Sequence, residues 1–128
     1  MKEEFLKLAI DAAEAAGEIA MDFFNKKFKV EYKDNMNNNL VTEVDKKAEN
    51  KIIDMVRSKY PDHIFLAEES GETGQTSNVK WIIDPLDGTV NYAHGVPVFC
   101  VSIGVEQDGE IVAGAVYDPS RDEMFTAI

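Results

Sequence analysis

The sequence predicts an α+β domain, two helices packed on an antiparallel sheet. Three observations predict it. Apolar residues recur at three-to-four spacing from Phe5 to Val56. From Ile64 onward they fall instead into short runs and alternations, which read as strands. Asp108-Gly109 sits between two of these runs, the strongest short hairpin signal a sequence offers. Helices first and a meander of strands after is the pattern of segregated layers.

Taken in order, Phe5, Leu8, Ala9, Ala12, Ala16, Ile19, Ala20, Phe23 and Phe24 mark one amphipathic helix over Lys2 to Lys27. Its small face, Ala12, Ala13, Ala16, Gly17 and Ala20, invites close packing. Phe28, Val30 and Tyr32 alternate with Lys29 and Glu31 and read as a short strand. Lys33 to Asn39 is polar and turn-prone, a loop. Thr42 is the expected N-cap of a second helix, with Asp45 three residues on, and Val44, Ala48, Ile52, Met55 and Val56 form its apolar face. Pro61 stops it near Lys59. Ile64 to Ala67 and Lys80 to Asp84 read as buried strands separated by a loop, Gly71 to Asn78. Phe99 to Glu106 and Ile111 to Tyr117 form the hairpin. Asp118 to Asp122 turns the chain into a last strand at Glu123 to Thr126. Both faces of the hairpin look apolar, which implies a sheet covered on both sides, and two helices cover only one.

The 128 residues suit one domain over 1–128. Thirteen Lys plus Arg against 24 Asp plus Glu leave a net charge of −11. That acidity opposes an electrostatic grip on nucleic acid or on an anionic membrane. Cys100 is the single cysteine, so no intrachain disulfide forms, and its apolar run reads as a small buried hydrophobe. No run approaches the ~18 apolar residues of a membrane span, and the acidic start lacks the basic, apolar character of a signal peptide. A cytoplasmic protein is the expectation.

Chemistry concentrates in Asp84-Pro85-Leu86-Asp87-Gly88-Thr89. A buried strand delivers Asp84 at its carboxyl end, Pro85 forces a change of direction, and Asp87 is placed to converge with Asp84. Gly88 permits backbone that a Cβ would hinder. Thr89 begins a short helix whose free N–H groups suit a phosphate. Two carboxylates, a carbonyl and a helix start in one turn suit a hard cation and an anion together. An isolated Asp-x-x-Asp-Gly reads more simply as a strand end and a turn. Two further acidic spots, Glu68-Glu69 after another apolar strand and Asp45 in the second helix, weigh against that: crowded carboxylates are costly unless a cation neutralises them. His63 and His94 lack metal-site spacing and read as surface or packing residues.

Val41-Thr-Glu-Val-Asp45, Leu66-Ala-Glu-Glu-Ser70 and Trp81-Ile-Ile-Asp-Pro-Leu-Asp-Gly-Thr89, in that order, resemble the inositol monophosphatase family of magnesium-dependent, lithium-sensitive phosphomonoesterases. The runs Ala16 to Ala20 and Val101 to Gly104 are similar too. The resemblance implies that Glu68 binds a first Mg²⁺ and orients the attacking water. It implies that Asp84 bridges two metals, Leu86 lends its main-chain carbonyl and Asp87 holds the second metal. The N–H groups of Gly88 and Thr89 would bind phosphate, with the Thr89 hydroxyl, backed by Asp45, polarising the water. Lys33 stands where the family has a mobile-loop lysine.

The same resemblance implies a small phosphorylated polyol or sugar as substrate, inositol monophosphate first. A 3'(2'),5'-bisphosphate nucleotide or fructose 1,6-bisphosphate is the alternative within the enzyme class. The family's second half carries a Trp-Asp motif that completes the second metal site. The only tryptophan here, Trp81, is followed by Ile82, so the sequence looks like the amino-terminal half of that fold. Two other readings follow: a metal- and phosphate-binding module without turnover, or an assembly module that forms a homodimer or associates through the sheet face left by the missing half.

Overall fold

The structure, a computed structural model, describes residues 1–30, 34–67, 71–73 and 76–128, with side chains described for 1–26 and, within those ranges, from 43 onward. Helix α1 spans Lys2–Val30 and α2 spans Asp34–Lys59. Strands β1 (Ile64–Ala67), β2 (Gly71–Thr73) and β3 (Val79–Asp87) follow, then a short helix α3 (Thr89–Ala93). Strands β4 (Cys100–Gln107), β5 (Glu110–Asp118) and β6 (Glu123–Ala127) complete the chain. The expected layers are present: helices on a six-stranded, mostly antiparallel sheet of order β2-β1-β3-β4-β5-β6.

Four local expectations change. Helix α1 runs on through Phe28 to Val30, where a strand was expected, and Tyr32 lies outside the described residues. Two apolar residues at alternate positions are a short signal, and extending an existing helix fixes only one residue per added hydrogen bond. Helix α2 begins at Asp34, so the expected loop from Asp34 to Asn39 is helical and Thr42 lies inside the helix. Intrinsic propensity is a weak prior and yields to the helix it joins. Gly71–Thr73 pairs with β1 as an edge strand rather than looping. Finally, β1 and β3 are parallel, with Leu66 opposite Ile82 and Ala67 opposite Ile83. The chain visits the edge strand β2 before returning to the other side of β1, a route no local pattern encodes.

Strand alternation divides the sheet into two unlike faces. Trp81, Ile83, Val101, Ile103, Ala115 and Tyr117 point to one side and are buried with Phe5, Ala9, Ala12 and Ala16 of α1 and Ala48, Ile52 and Val56 of α2. The small face of α1 meets β5: a Cβ on Gly17 would come within 2.6 Å of the Tyr117 ring. The opposite face carries Leu66, Ile82, Gly104, Gly114, Val116 and Phe125, among which Leu66, Val116 and Phe125 are exposed. The sequence implied a sheet covered on both sides; both long helices bury their apolar faces against the same one.

The β4–β5 turn has Asp108 at φ 53° and Gly109 at φ 84°. Two successive positive φ values match the twist of a two-residue hairpin, which is what Asp-Gly permits. At the other end of the sheet, Tyr117 Oη donates to Asp122 Oδ1 at 2.7 Å and closes the β5–β6 turn.

His63 packs rather than ligates. Its ring stacks on Tyr60 at 4.4 Å between centroids and 8° between planes. Trp81 Nε1–H donates to His63 Nδ1 at 2.9 Å. Burial lowers the His63 pKa from its ordinary 6.5, against the opposing pull of Asp62. A depressed histidine pKa means the folded state prefers the neutral ring, so its contribution is present above about pH 6.5 and is lost as pH falls through the lower folded value. The urea midpoint, followed by fluorescence of Trp81, is therefore expected to drop on going from pH 7 to 5. In His63→Gln that component of the drop should disappear; an identical pH profile in both proteins would refute the assignment.

Candidate active site

Strand β3 does not stay in register with β4. Asp84 lies opposite Ser102, yet Asp87 lies opposite Cys100. Three steps along β3 match two along β4, so β3 carries one extra residue, a β-bulge over Pro85 and Leu86. The consequence is geometric. Residues three apart in a regular strand face opposite sides of the sheet, whereas Ser102 and Cys100, two apart, face the same side. The bulge therefore puts Asp84 and Asp87 on one face, the open one. Without it Asp87 would turn toward the helices.

The bulge is anchored from below. Pro85 supplies no ladder donor, which suits an irregular position, and both Pro85 and Leu86 are buried. Leu86 packs with Ala20 and Phe24 of α1, Val44 of α2, Tyr92 of α3 and Phe99. Tyr92 Oη donates to the Ala20 carbonyl at 2.8 Å, and burial holds its phenol well above the ordinary value.

The field at the open face registers on Cys100. Its thiol is pushed up to about 11, first by burial and then by the charges of Asp87, Asp84 and Asp118. The charges of Asp87, Asp84 and Asp118 thus all reach the Cys100 thiol. Asp118 is engaged elsewhere: Oδ1 accepts from the Ser120 amide at 3.1 Å and the Ser120 hydroxyl at 2.9 Å. Cys100 is half-buried on the open face, with Val101 beside it turned to the core; the sequence had suggested a plain buried hydrophobe.

Immediately after Asp87 the chain enters α3 through Gly88, at φ 94°. A Cβ there would lie 2.9 Å from the Val98 carbonyl oxygen and 3.3 Å from Phe99 Cα, both backbone atoms. Val98 cannot retreat easily, because its carbonyl accepts from Asn91 Nδ2 at 3.1 Å. Strained φ and a backbone clash together predict that Gly88→Ala costs about 2–4 kcal/mol, read as a lowered denaturant midpoint; a change below about 0.5 kcal/mol would contradict this geometry. Asp87, Gly88, Asn91, Phe99 and Cys100 border an open hollow of about 350 Å³.

The remaining expected residues divide. Thr89 opens α3, directly after Gly88. Asp45 is buried on α2, next to Val44, which touches the cluster under the bulge. Glu49, one turn on, is buried too and was not singled out from sequence. Its four-residue spacing from Asp45, on a helix side also carrying buried Ile52 and Ile53, is the signal that marks it. Glu68, Glu69 and Lys33 lie outside the described residues. In the parallel pairing β1 ends at Ala67, opposite Ile83, one residue before Asp84 on the neighbouring strand β3.

The described donors fit a hard divalent cation by their chemistry. Asp84 and Asp87 are carboxylates on one face with the Leu86 carbonyl between them in sequence, an all-oxygen set suited to Mg²⁺. Among the described residues no three His, Cys, Asp or Glu side chains gather tightly enough to hold a metal by themselves.

The profile of the inositol monophosphatase family matches residues 1–128. The chain belongs to the inositol monophosphatase family. It is 42% identical over 124 residues to Nus factor SuhB of Pasteurella multocida, covering 96% of this chain and 46% of that protein. It is 45% identical over 131 residues to inositol monophosphatase 2 of Solanum lycopersicum, covering 98% and 49%. The crystal structure of extragenic suppressor protein suhB from Bartonella henselae superposes with a TM-score of 0.84 at 38% identity, over 97% of this chain and 48% of that one. The chain spans about half the length of the curated relatives it matches. As a member of this family it carries the family's amino-terminal motifs. No helix among the described residues is long and apolar enough to cross a membrane.

Proposed function

We propose that this chain forms the metal- and phosphate-binding half of a magnesium-dependent phosphomonoesterase acting on a small phosphorylated polyol, with inositol monophosphate as the first candidate. The observation that carries this reading is the β3 bulge, which turns Asp84 and Asp87 to one open face one residue before the Gly88 turn. Asp84, Asp87, the Leu86 carbonyl and Glu68 are the cation donors in this reading. When bound, Mg²⁺ supplies charge neutralisation and lowers the pKa of water. The chain's own groups do the rest. Glu68 orients the water, and the Thr89 hydroxyl, backed by Asp45, polarises it. The N–H groups of Gly88 and Thr89 hold the phosphate in line. By the family resemblance, Lys33 would be the cation near the substrate. A nucleotide bisphosphate or fructose 1,6-bisphosphate is the runner-up substrate, since the phosphate cradle is indifferent to the alcohol it carries.

The test is phosphate release from inositol 1-phosphate by the purified chain, alone and with the half of a family member that it does not span, with and without Mg²⁺ and Li⁺. Mg²⁺-dependent, Li⁺-sensitive release in either sample supports the reading. Mg²⁺ stabilisation with no release in both reduces the chain to a binding module. No response to Mg²⁺ of any kind overturns it.

A second reading rests on the open sheet face. Exposed Leu66, Val116 and Phe125 suit burial against protein, whether a second copy or the other half of a family-length chain. Concentration-dependent association, measured by sedimentation and unchanged in Asp84→Asn, supports it; a monomer at all concentrations with no uptake of the other half of a family-length relative refutes it.

A further inference from the structure

We propose that Cys100 is a positioning residue for Asp87, its S–H donating to Oδ2 and holding that carboxylate on the open face beside Asp84. The inference rests on the reading of Asp87 as a cation donor. Three observations carry it. Cys100 Sγ lies 3.9 Å from Asp87 Oδ2. The two residues are direct cross-strand partners, and they are so only because the bulge shifts Asp87 by one place. And Cys100 faces away from the core, toward the side of Ser102 and Gly104, where packing does not call for an apolar residue.

The chemistry is one-directional. An ionised carboxylate only accepts, and a thiol is a weak donor on a short, stiff stem. Exposed at the end of the bulge, the Asp87 side chain has rotamers that point away from Asp84. A donor fixed on the neighbouring strand selects the one that converges with it. Groups that orient a ligand from behind typically change metal affinity by tenfold or more.

Two readouts test this. Because Cys100 is the only cysteine, its S–H stretching band in the infrared belongs to one bond. In the wild type it is expected at lower frequency than a free thiol, and Asp87→Ala should return it to the free position. Separately, calorimetry should find Mg²⁺ affinity reduced about tenfold in Cys100→Ala. Cys100→Ser, which keeps a donor, should remain within about twofold of wild type. A band indifferent to Asp87→Ala overturns the proposal, as does Mg²⁺ affinity unchanged in Cys100→Ala or lost equally in both variants. If the wild type fails to bind Mg²⁺, the metal reading falls, and the infrared band alone decides whether the thiol holds Asp87.

Discussion

Asp84→Asn is expected to remove the response of this protein to Mg²⁺ while leaving its unliganded stability unchanged or slightly raised. The two halves of that expectation have separate causes. Without a cation, Asp84 and Asp87 face the same side and both charges act on the Cys100 thiol, so converting Asp84 to an amide lowers the negative charge on that face. With a cation, binding to the folded state alone adds RT ln(1 + [L]/Kd), about 2.7 kcal/mol at one hundred times Kd. Losing a carboxylate from an all-oxygen set removes most of that gain. Thermal unfolding with and without Mg²⁺ measures both. Hydrolysis, where present in the wild type, should fall to the level of buffer. Asp118→Asn is the control: its Oδ1 is committed to the Ser120 amide and hydroxyl, so that variant should keep its Mg²⁺ shift. Equal loss in both variants would mean that general surface charge, not the Asp84–Asp87 pair, attracts the cation.

Trp81→Ala is expected to cost about 3–5 kcal/mol, a large share of the stability of a domain this size. Trp81 is fully buried and stands where both layers meet. The Phe5 ring of α1 crosses its edge at 6.1 Å and 74°, and the opposite ladder partner is Val105. Truncation opens a cavity between rigid elements, which collapse poorly. It also deprives the half-buried His63 Nδ1 of its donor. Trp81→Phe separates the two terms. It keeps most of the volume and loses the indole N–H, so it should cost much less than the alanine variant. Denaturant unfolding by circular dichroism gives both numbers. A loss under 1 kcal/mol in Trp81→Ala would mean the helices are not seated on this face.

Much of the fold was legible because its signals are local. The 3.6-residue period of Phe5 to Phe24, the Asp108-Gly109 turn and the apolar runs of β4 and β5 each require only a few neighbouring residues. The failures have one cause in common. Phe28 to Val30, Asp34 to Asn39 and Gly71 to Thr73 have weak local preferences, and their state follows from what they join. The parallel pairing of β1 with β3 is a property of the chain's route, not of either strand. In the site, Asp84, Asp87, Gly88 and Thr89 were singled out by residue type and motif. Glu49 was missed because a glutamate on a helix reads as solvated until the helix is docked.

By itself the sequence determined which donors exist: oxygen ligands in a strand-to-helix turn, no second cysteine, and the motifs of one family. It also determined that a glycine follows Asp87, where no side chain fits. Only the tertiary structure decided that Asp84 and Asp87 face the same way, that this face is the one without the long helices, and that Cys100 stands against Asp87. Facing is defined by register, and register is a relation between strands. One extra residue in β3 acquires meaning only when β4 lies beside it.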